Sequence, residues 1–280
     1  MIGVSDICRE VQTAGYCIVP ALYSPDELLY ALDSVRKGYA QVHGLSAGET
    51  PYLNQNQTML HNVQNKDFEF LKLMLRDPLI LEVLKNFLND RWYRVLPDEE
   101  PNFQLRSYLA RSSEGELPLH IDSFIPYMGE HVISMQVAIV LEEMTEKNGC
   151  TVVVPGSHQS GRYVEQSALD DAVPIEASIG DAVIWDSRLW HGTTANMSGN
   201  TRWNLVATFA RWWMKQSFQI PLALPKYIYE QLTDSEKTIM GYSSIPYLDE
   251  YAGTNMKQDH SNFPDAPRDL LDALVEPGKA

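Results

Sequence analysis

Between Asn102 and Lys215 the chain breaks into short, evenly spaced runs rich in Val, Ile, Trp and Phe. Turn signals separate them, among them Asn148-Gly149, Pro155-Gly156 and Ile179-Gly180-Asp181. Such a succession predicts an antiparallel β sandwich or jelly roll across 102–215. Residues two apart on a strand share a face, so three of the runs sort into an apolar and a mixed face. Gln104, Arg106 and Tyr108 oppose Phe103, Leu105 and Leu109; Ser134 and Gln136 oppose Ile133, Met135, Val137, Ile139 and Leu141; Arg202, Asn204 and Thr208 oppose Trp203, Leu205 and Phe209. The mixed faces suit either solvent, as in any two-sided antiparallel sheet, or the mouth of a liganded barrel whose apolar faces are covered by helices.

Candidate helices lie on both sides of this region, which makes the chain mainly β with flanking helices. Apolar residues recur at helical spacing over 5–14 and 24–40, and Ser24-Pro25-Asp26-Glu27 supplies an N-cap, a proline at N1 and acids in the first turn. Between them, Tyr16 to Leu22 suits a strand. Helical spacing returns over 68–88, broken once at Asp77-Pro78. The aperiodic segment 44–65 is long enough to be a lid or binding loop, and its run Asn54-Gln55-Asn56-Gln57 suits a polar substrate or equally a solvated loop. After Lys215 come Pro221, Pro225, a capped helix at Thr233-Asp234-Ser235-Glu236 and a polar tail. The expected organisation is one domain over 1–280: a largely helical part to residue 100, the jelly-roll core at 102–215, and a C-terminal helix and tail over 216–280.

Composition narrows the function classes. A formal net charge of -15 and a sequence pI near 4.8, with scattered basic residues, argue against nucleic acid and anionic lipid surfaces as partners. Three cysteines, Cys8, Cys17 and Cys150, cannot all pair and lack C-x-x-C spacing, which fits a reduced cytoplasmic setting. The acidic opening lacks the basic and apolar regions of a signal peptide. The longest apolar stretch, 132–141, falls short of the roughly 20 residues that a spanning helix needs.

One constellation carries chemistry. Leu119-His120-Ile121-Asp122 puts two potential ligands two residues apart at the end of an apolar strand, where both reach one ion. By itself H-x-D is a common pattern. Trp190-His191-Gly192 then ends a later strand, and Arg202 opens the next. Two imidazoles and one carboxylate on one face of a metal form the facial triad that activates oxygen at iron(II), leaving adjacent sites open. Zinc more often takes four ligands, or three and water, and needs no fixed arginine nearby. A guanidinium grips a carboxylate through two parallel charge-assisted bonds. Arg202 is therefore a candidate anchor for the far carboxylate of a 2-oxo dicarboxylic acid, or else an ion-pair partner at a strand edge. Phe124 and Tyr127, close behind H-x-D, and Tyr108, on the face of Gln104, are candidates for an aromatic substrate wall. His158, in a Pro-Gly-Ser-His turn, reads as a structural histidine.

These motifs, together with Glu142-Glu143, Glu146-Lys147-Asn148-Gly149-Cys150, Val154-Pro155-Gly156-Ser157-His158 and Ile179-Gly180-Asp181-Ala182-Val183, resemble the phytanoyl-CoA dioxygenase family of iron(II)/2-oxoglutarate oxygenases over about residues 15–241. The resemblance implies a double-stranded β-helix, a cupin-like jelly roll with helices outside, and metal ligation by His120, Asp122 and His191. It also implies that Gln104 and Gln136 line the 2-oxoglutarate end of the pocket. Fe(II), 2-oxoglutarate and O2 are then the expected cofactor and co-substrates. The expected reaction hydroxylates an unactivated carbon of a small molecule, a specialised or other polar metabolite, with release of succinate and carbon dioxide. Desaturation, epimerisation and cyclisation on the same site are alternatives, as are a cupin-like isomerase or hydrolase and a non-catalytic binding protein. A carboxylate at Asp122 disfavours halogenation, for which the corresponding residue is small. Oligomeric state is not legible.

Overall fold

The structure is a computed structural model that describes residues 2–44, 58–93, 96–97, 99–112 and 115–245. The amide run 54–57, most of the proposed lid and the tail beyond 245 lie outside the described residues. In chain order the principal elements are α1 (Val4–Ala14), β1 (Tyr16–Val19), α2 (Pro25–His43), β2 (Thr58–His61), α3 (Phe68–Leu75), α4 (Pro78–Leu88), β3 (Phe103–Ser112), β4 (Leu117–His120), β5 (Ser134–Val140), β6 (Thr151–Val153), β7 (Val173–Ile175), β8 (Ala182–Asp186), β9 (His191–Thr193), β10 (Asn204–Arg211), α5 (Ile220–Ala223), α6 (Lys226–Tyr229) and α7 (Asp234–Ile239). They form two compact units, Met1–Val63 with Tyr108–Thr208, and Gln64–Ser107 with Phe209–Ala280.

The first unit holds the jelly roll. One sheet has the strand order β1-β8-β5-β10-β3-β2 and the other β4-β9-β6-β7. The recorded pairings are antiparallel, with Cys17 opposite Ile184, Val137 opposite Ile184, and Val152 opposite Gly192. Side chains of both sheets share one buried cluster, with Ala138, Val140, Val183 and Trp185 from the first meeting Val153 and Ile175 from the second. The opposite face of the large sheet is equally dry, since Val137, Ile139, Ile184, Leu205 and Trp203 are buried. Helix α1 packs on β1 and β8. It stops at Gly15, whose φ of +91° suits glycine and where a Cβ would lie 2.6 Å from Leu189 and 2.7 Å from His158. Helix α2 starts with the expected device, a reciprocal capping box between Ser24 and Glu27 with Pro25 in the first turn.

Strand β2 falls within the segment that the sequence suggests is aperiodic loop. Its four residues pair with β3, Thr58 against Ser112 through His61 against Leu109. Four residues carry too little alternation to announce themselves, and their register is supplied by β3.

In the second unit, Asp67 and Asp77 cap α3 and α4, and Pro78 at N1 produces the expected break between them. Phe70, Leu71, Met74, Ile80, Val83 and Leu84 are buried, and Phe103 meets Phe209 edge to face at 5.8 Å. Helix α7 opens with a second capping box, Thr233 with Glu236, and Glu236 pairs with Arg76 at 2.6 Å. Helices α5 and α6 are single turns, too short for a periodic signal. No helix of the described residues is long and apolar enough to cross a membrane.

Candidate metal centre

Antiparallel pairing of β4 with β9 sets His120 directly opposite His191. Only glycine fits beside His191, because a Cβ on Gly192 would stand 2.4 Å from the Leu117 carbonyl oxygen. The two imidazole rings are 4.2 Å apart. Asp122 lies just past β4, where its amide and that of Ser123 both donate to the Ser187 carbonyl, at 2.9 and 3.0 Å. Its carboxylate reaches His191 Nε2 at 3.2 Å and His120 Nε2 at 3.7 Å. The three ligand atoms lie within 4.8 Å of one another, the one such His/Cys/Asp/Glu group among the described residues.

Both histidines are oriented from behind. Nδ1 of His120 is 3.0 Å from the Pro118 carbonyl and Nδ1 of His191 is 2.8 Å from the Leu189 carbonyl. A carbonyl only accepts, so each Nδ1 carries a hydrogen, and Nε2 is the atom through which each ring, when neutral, could bind a metal. Burial pulls the His120 pKa down, and the neighbouring His191 lowers it further. Burial opposes ionisation of Asp122, yet His191, His120 and Arg111 together hold its carboxyl below the usual range. For His191 burial also pulls downward, but the charge and hydrogen bond of Asp122 prevail and raise its pKa. Without metal, His120 is the more readily deprotonated of the two imidazoles, and Asp122 favours the protonated form of His191.

Arg202 is buried at 3% exposure. Burial, then repulsion from Arg111, brings its pKa down to about 10, so it remains a cation at neutral pH. Among the described residues it has no ion pair. Nη2 donates to the Gly149 carbonyl, Nη1 approaches the Met144 sulfur at 3.5 Å, and Nε has no hydrogen-bond partner among the described residues. A buried guanidinium held only by neutral groups is costly, and an anion would relieve that cost.

Gln136 lies on the interior face of β5, where its Oε1 accepts from Thr208 at 2.7 Å. It is registered opposite Trp185, whose ring stands edge-on to His191 at 5.8 Å. Gln104 is placed otherwise. It belongs to the second unit and donates to the carbonyls of Met214 and, at 3.5 Å, Arg211. Tyr108 is fully buried, on the face of β3 opposite Arg111, and burial raises the pKa of its phenol well above the ordinary value. Tyr127 is structural in its contacts, with its hydroxyl accepting from the Ile133 amide at 2.8 Å and its ring under the Arg188 guanidinium at 4.4 Å. Phe124 is 65% exposed two residues beyond Asp122, at a φ of +65°. His158 bonds the Gln12 carbonyl at 3.1 Å, consistent with a structural histidine.

Arg111 escaped the sequence reading. Its charge is felt at His120, Asp122, His191 and Arg202, and its buried Nε has no hydrogen-bond partner among the described residues. The available signal was a charged residue closing the apolar face of Phe103, Leu105 and Leu109 on β3.

Comparison with known proteins gives a consistent picture. The family model described as "Phytanoyl-CoA dioxygenase (PhyH)" matches residues 11–203. The dioxygenase af480 of Aspergillus fumigatus is 28% identical over 92% of this chain and 84% of its own. Among solved structures, the non-heme alpha ketoglutarate dependent epimerase SnoN from nogalamycin biosynthesis superposes with a TM-score of 0.56 at 17% identity, covering 74% of this chain and 82% of that one. EctD from S. alaskensis, solved with 2-oxoglutarate and 5-hydroxyectoine, gives 0.56 at 17% identity, covering 73% of this chain and 74% of that one.

Proposed function

The chain belongs to the phytanoyl-CoA dioxygenase family, and from that premise we propose that it is an iron(II)- and 2-oxoglutarate-dependent dioxygenase that hydroxylates an unactivated carbon of a small molecule. His120, Asp122 and His191 hold the iron, and Arg202 receives the far carboxylate of 2-oxoglutarate. The iron, once bound with 2-oxoglutarate and dioxygen, supplies the oxidation that turns 2-oxoglutarate into succinate and carbon dioxide and the substrate C–H into C–OH. The single observation that carries this reading is the donor set. Two imidazole Nε2 atoms and one carboxylate converge from adjacent strand ends, with a buried guanidinium in the same unit that has no ion pair among the described residues. That combination suits an octahedral metal keeping open positions and a dianionic partner, and suits structural zinc poorly.

The remaining work falls to the chain. The Leu189 and Pro118 carbonyls fix ring orientation, and the Arg202 fork sets the direction of the co-substrate. Gln136 and Thr208 supply neutral hydrogen-bonding groups on the interior face. The loop beyond Asp122 exposes Phe124, Ile125 and Met128, which supports an apolar surface on the small molecule. Anaerobic titration with iron(II) and 2-oxoglutarate tests the assignment: the chelate gives a weak visible charge-transfer band in the wild-type protein and none in Arg202→Ala at the same concentrations. Succinate formation under air gives the second reading, and iron bound with no succinate across a broad substrate panel refutes it.

A further inference from the structure

Arg188 is one residue of the site region to which the proposed chemistry gives no task. It is 4% exposed and closes on the equally buried Asp186, with Nη2 to Oδ2 at 2.6 Å and Nε to Oδ1 at 3.0 Å. Its backbone amide donates to the same Oδ1 at 2.9 Å, and the Leu189 amide donates to the Asp186 carbonyl at 2.9 Å, so residues 186–189 form a doubly tied turn. The remaining nitrogen of the fork, Nη1, reaches across to the carbonyl of Gly129 at 2.8 Å and that of Tyr127 at 3.4 Å. The Tyr127 ring lies under the guanidinium, and its hydroxyl accepts from Ile133. One side chain thus ties a turn to the loop that follows Asp122.

That turn is where the metal ligands are held from behind. The Ser187 carbonyl accepts the amides of Asp122 and Ser123, and the Leu189 carbonyl accepts Nδ1 of His191. The two residues flanking Arg188 in sequence therefore orient two of the three ligands. We propose that Arg188 is a positioning residue of the metal centre: it touches no ligand atom, but its fork locks the 186–189 turn whose carbonyls aim Asp122 and His191. This rests on the metal reading of His120, Asp122 and His191. The role calls for arginine, since carboxylate, facing carbonyls and ring stack are met at once by a planar fork and not by a lysine's single ammonium. Stability alone is a poor reason for it, because a buried ion pair is often matched by apolar residues of similar volume.

Cobalt(II) alone, titrated into the metal-free full chain, is the probe, with affinity from calorimetry and geometry from the visible d–d bands. Arg188→Lys keeps the charge and loses the fork, and is expected to weaken cobalt by about 10–100-fold, as is typical when groups behind metal ligands are changed, with a shifted d–d spectrum. Tyr127→Leu keeps the ion pair intact and loses the ring beneath it, and is expected to move both readings the same way by less. Val83→Ala, a cavity in the second unit, lowers the melting temperature and leaves cobalt affinity and spectrum unchanged. Wild-type affinity and spectrum in a folded Arg188→Lys overturn the inference. Should that variant not fold, wild-type readings in Tyr127→Leu do so. A wild-type protein that binds neither cobalt nor iron refutes the metal centre itself, a failure distinct from a wrong role for Arg188.

Discussion

His191 and Asp122 stand 3.2 Å apart as an ion pair that a bound metal would have to break. The pKa of His191 is raised and that of Asp122 lowered, each mainly by the other once burial is overcome. In the metal-free protein the His191 contribution to stability is complete below the unfolded value of about 6.5 and is lost as pH rises through the higher folded value. The Asp122 contribution is present above about 3.9 and is lost as pH falls through its depressed value. The pair therefore stabilises the metal-free chain most between those limits. Metal binding reverses this preference, because it needs the neutral imidazole. Nickel(II) binding near neutral pH is expected to release a proton and to weaken as pH falls, starting at a higher pH than for a free imidazole. Calorimetry in buffers of different ionisation enthalpy reads the proton directly, and a buffer-independent heat would contradict the ion-pair picture. Arg202 poses a different question, of shape. Arg202→Lys restores charge but not the two-pronged grip, so it should recover only a minor part of the 2-oxoglutarate affinity lost in Arg202→Ala.

At the level of elements the centre depends on how closely β4 and β9 approach. Gly192→Ala forces a Cβ to within 2.4 Å of the Leu117 oxygen, so the strands must separate or shift. A loss of about 1–3 kcal/mol is expected from overpacking, and denaturant unfolding together with cobalt affinity should report both consequences. Retained stability with retained affinity would show that the strands can yield without moving His120 from His191. The H-x-D and W-H-G patterns, the arginine after them, the capping boxes and the Asp77-Pro78 break were all legible, because each is a local device with its own residue preference. Arg111, Gln104 and β2 were not. Whether a strand residue points to the metal or away depends on the pairing partner and on which sheet face is interior, and H-bonded register is a property of two segments at once. Gln104 and Gln136 look alike by alternation, yet one is taken up by the carbonyls after β10 and the other stands beside Trp185.

For the molecule as a whole, all three candidate ligands come from the first unit, so a bound metal would act as a clasp on that unit's fold. A ligand present at 100 times its Kd adds about 2.7 kcal/mol to stability. Iron(II) or nickel(II) should therefore raise the melting temperature of the wild-type chain and leave that of Asp122→Ala unchanged, which scanning calorimetry with and without metal decides. The regular succession of strands made the jelly roll readable from the sequence; the boundary between the two units falls within β3 and β10, where no break in composition marks a strand's midpoint. One neighbour of the clasp also makes it visible. The Trp185 indole stands 5.8 Å from the His191 ring, within range for energy or electron transfer to a bound transition ion, so the arrival of iron should darken the protein's own ultraviolet emission and occupancy can be followed without any added dye.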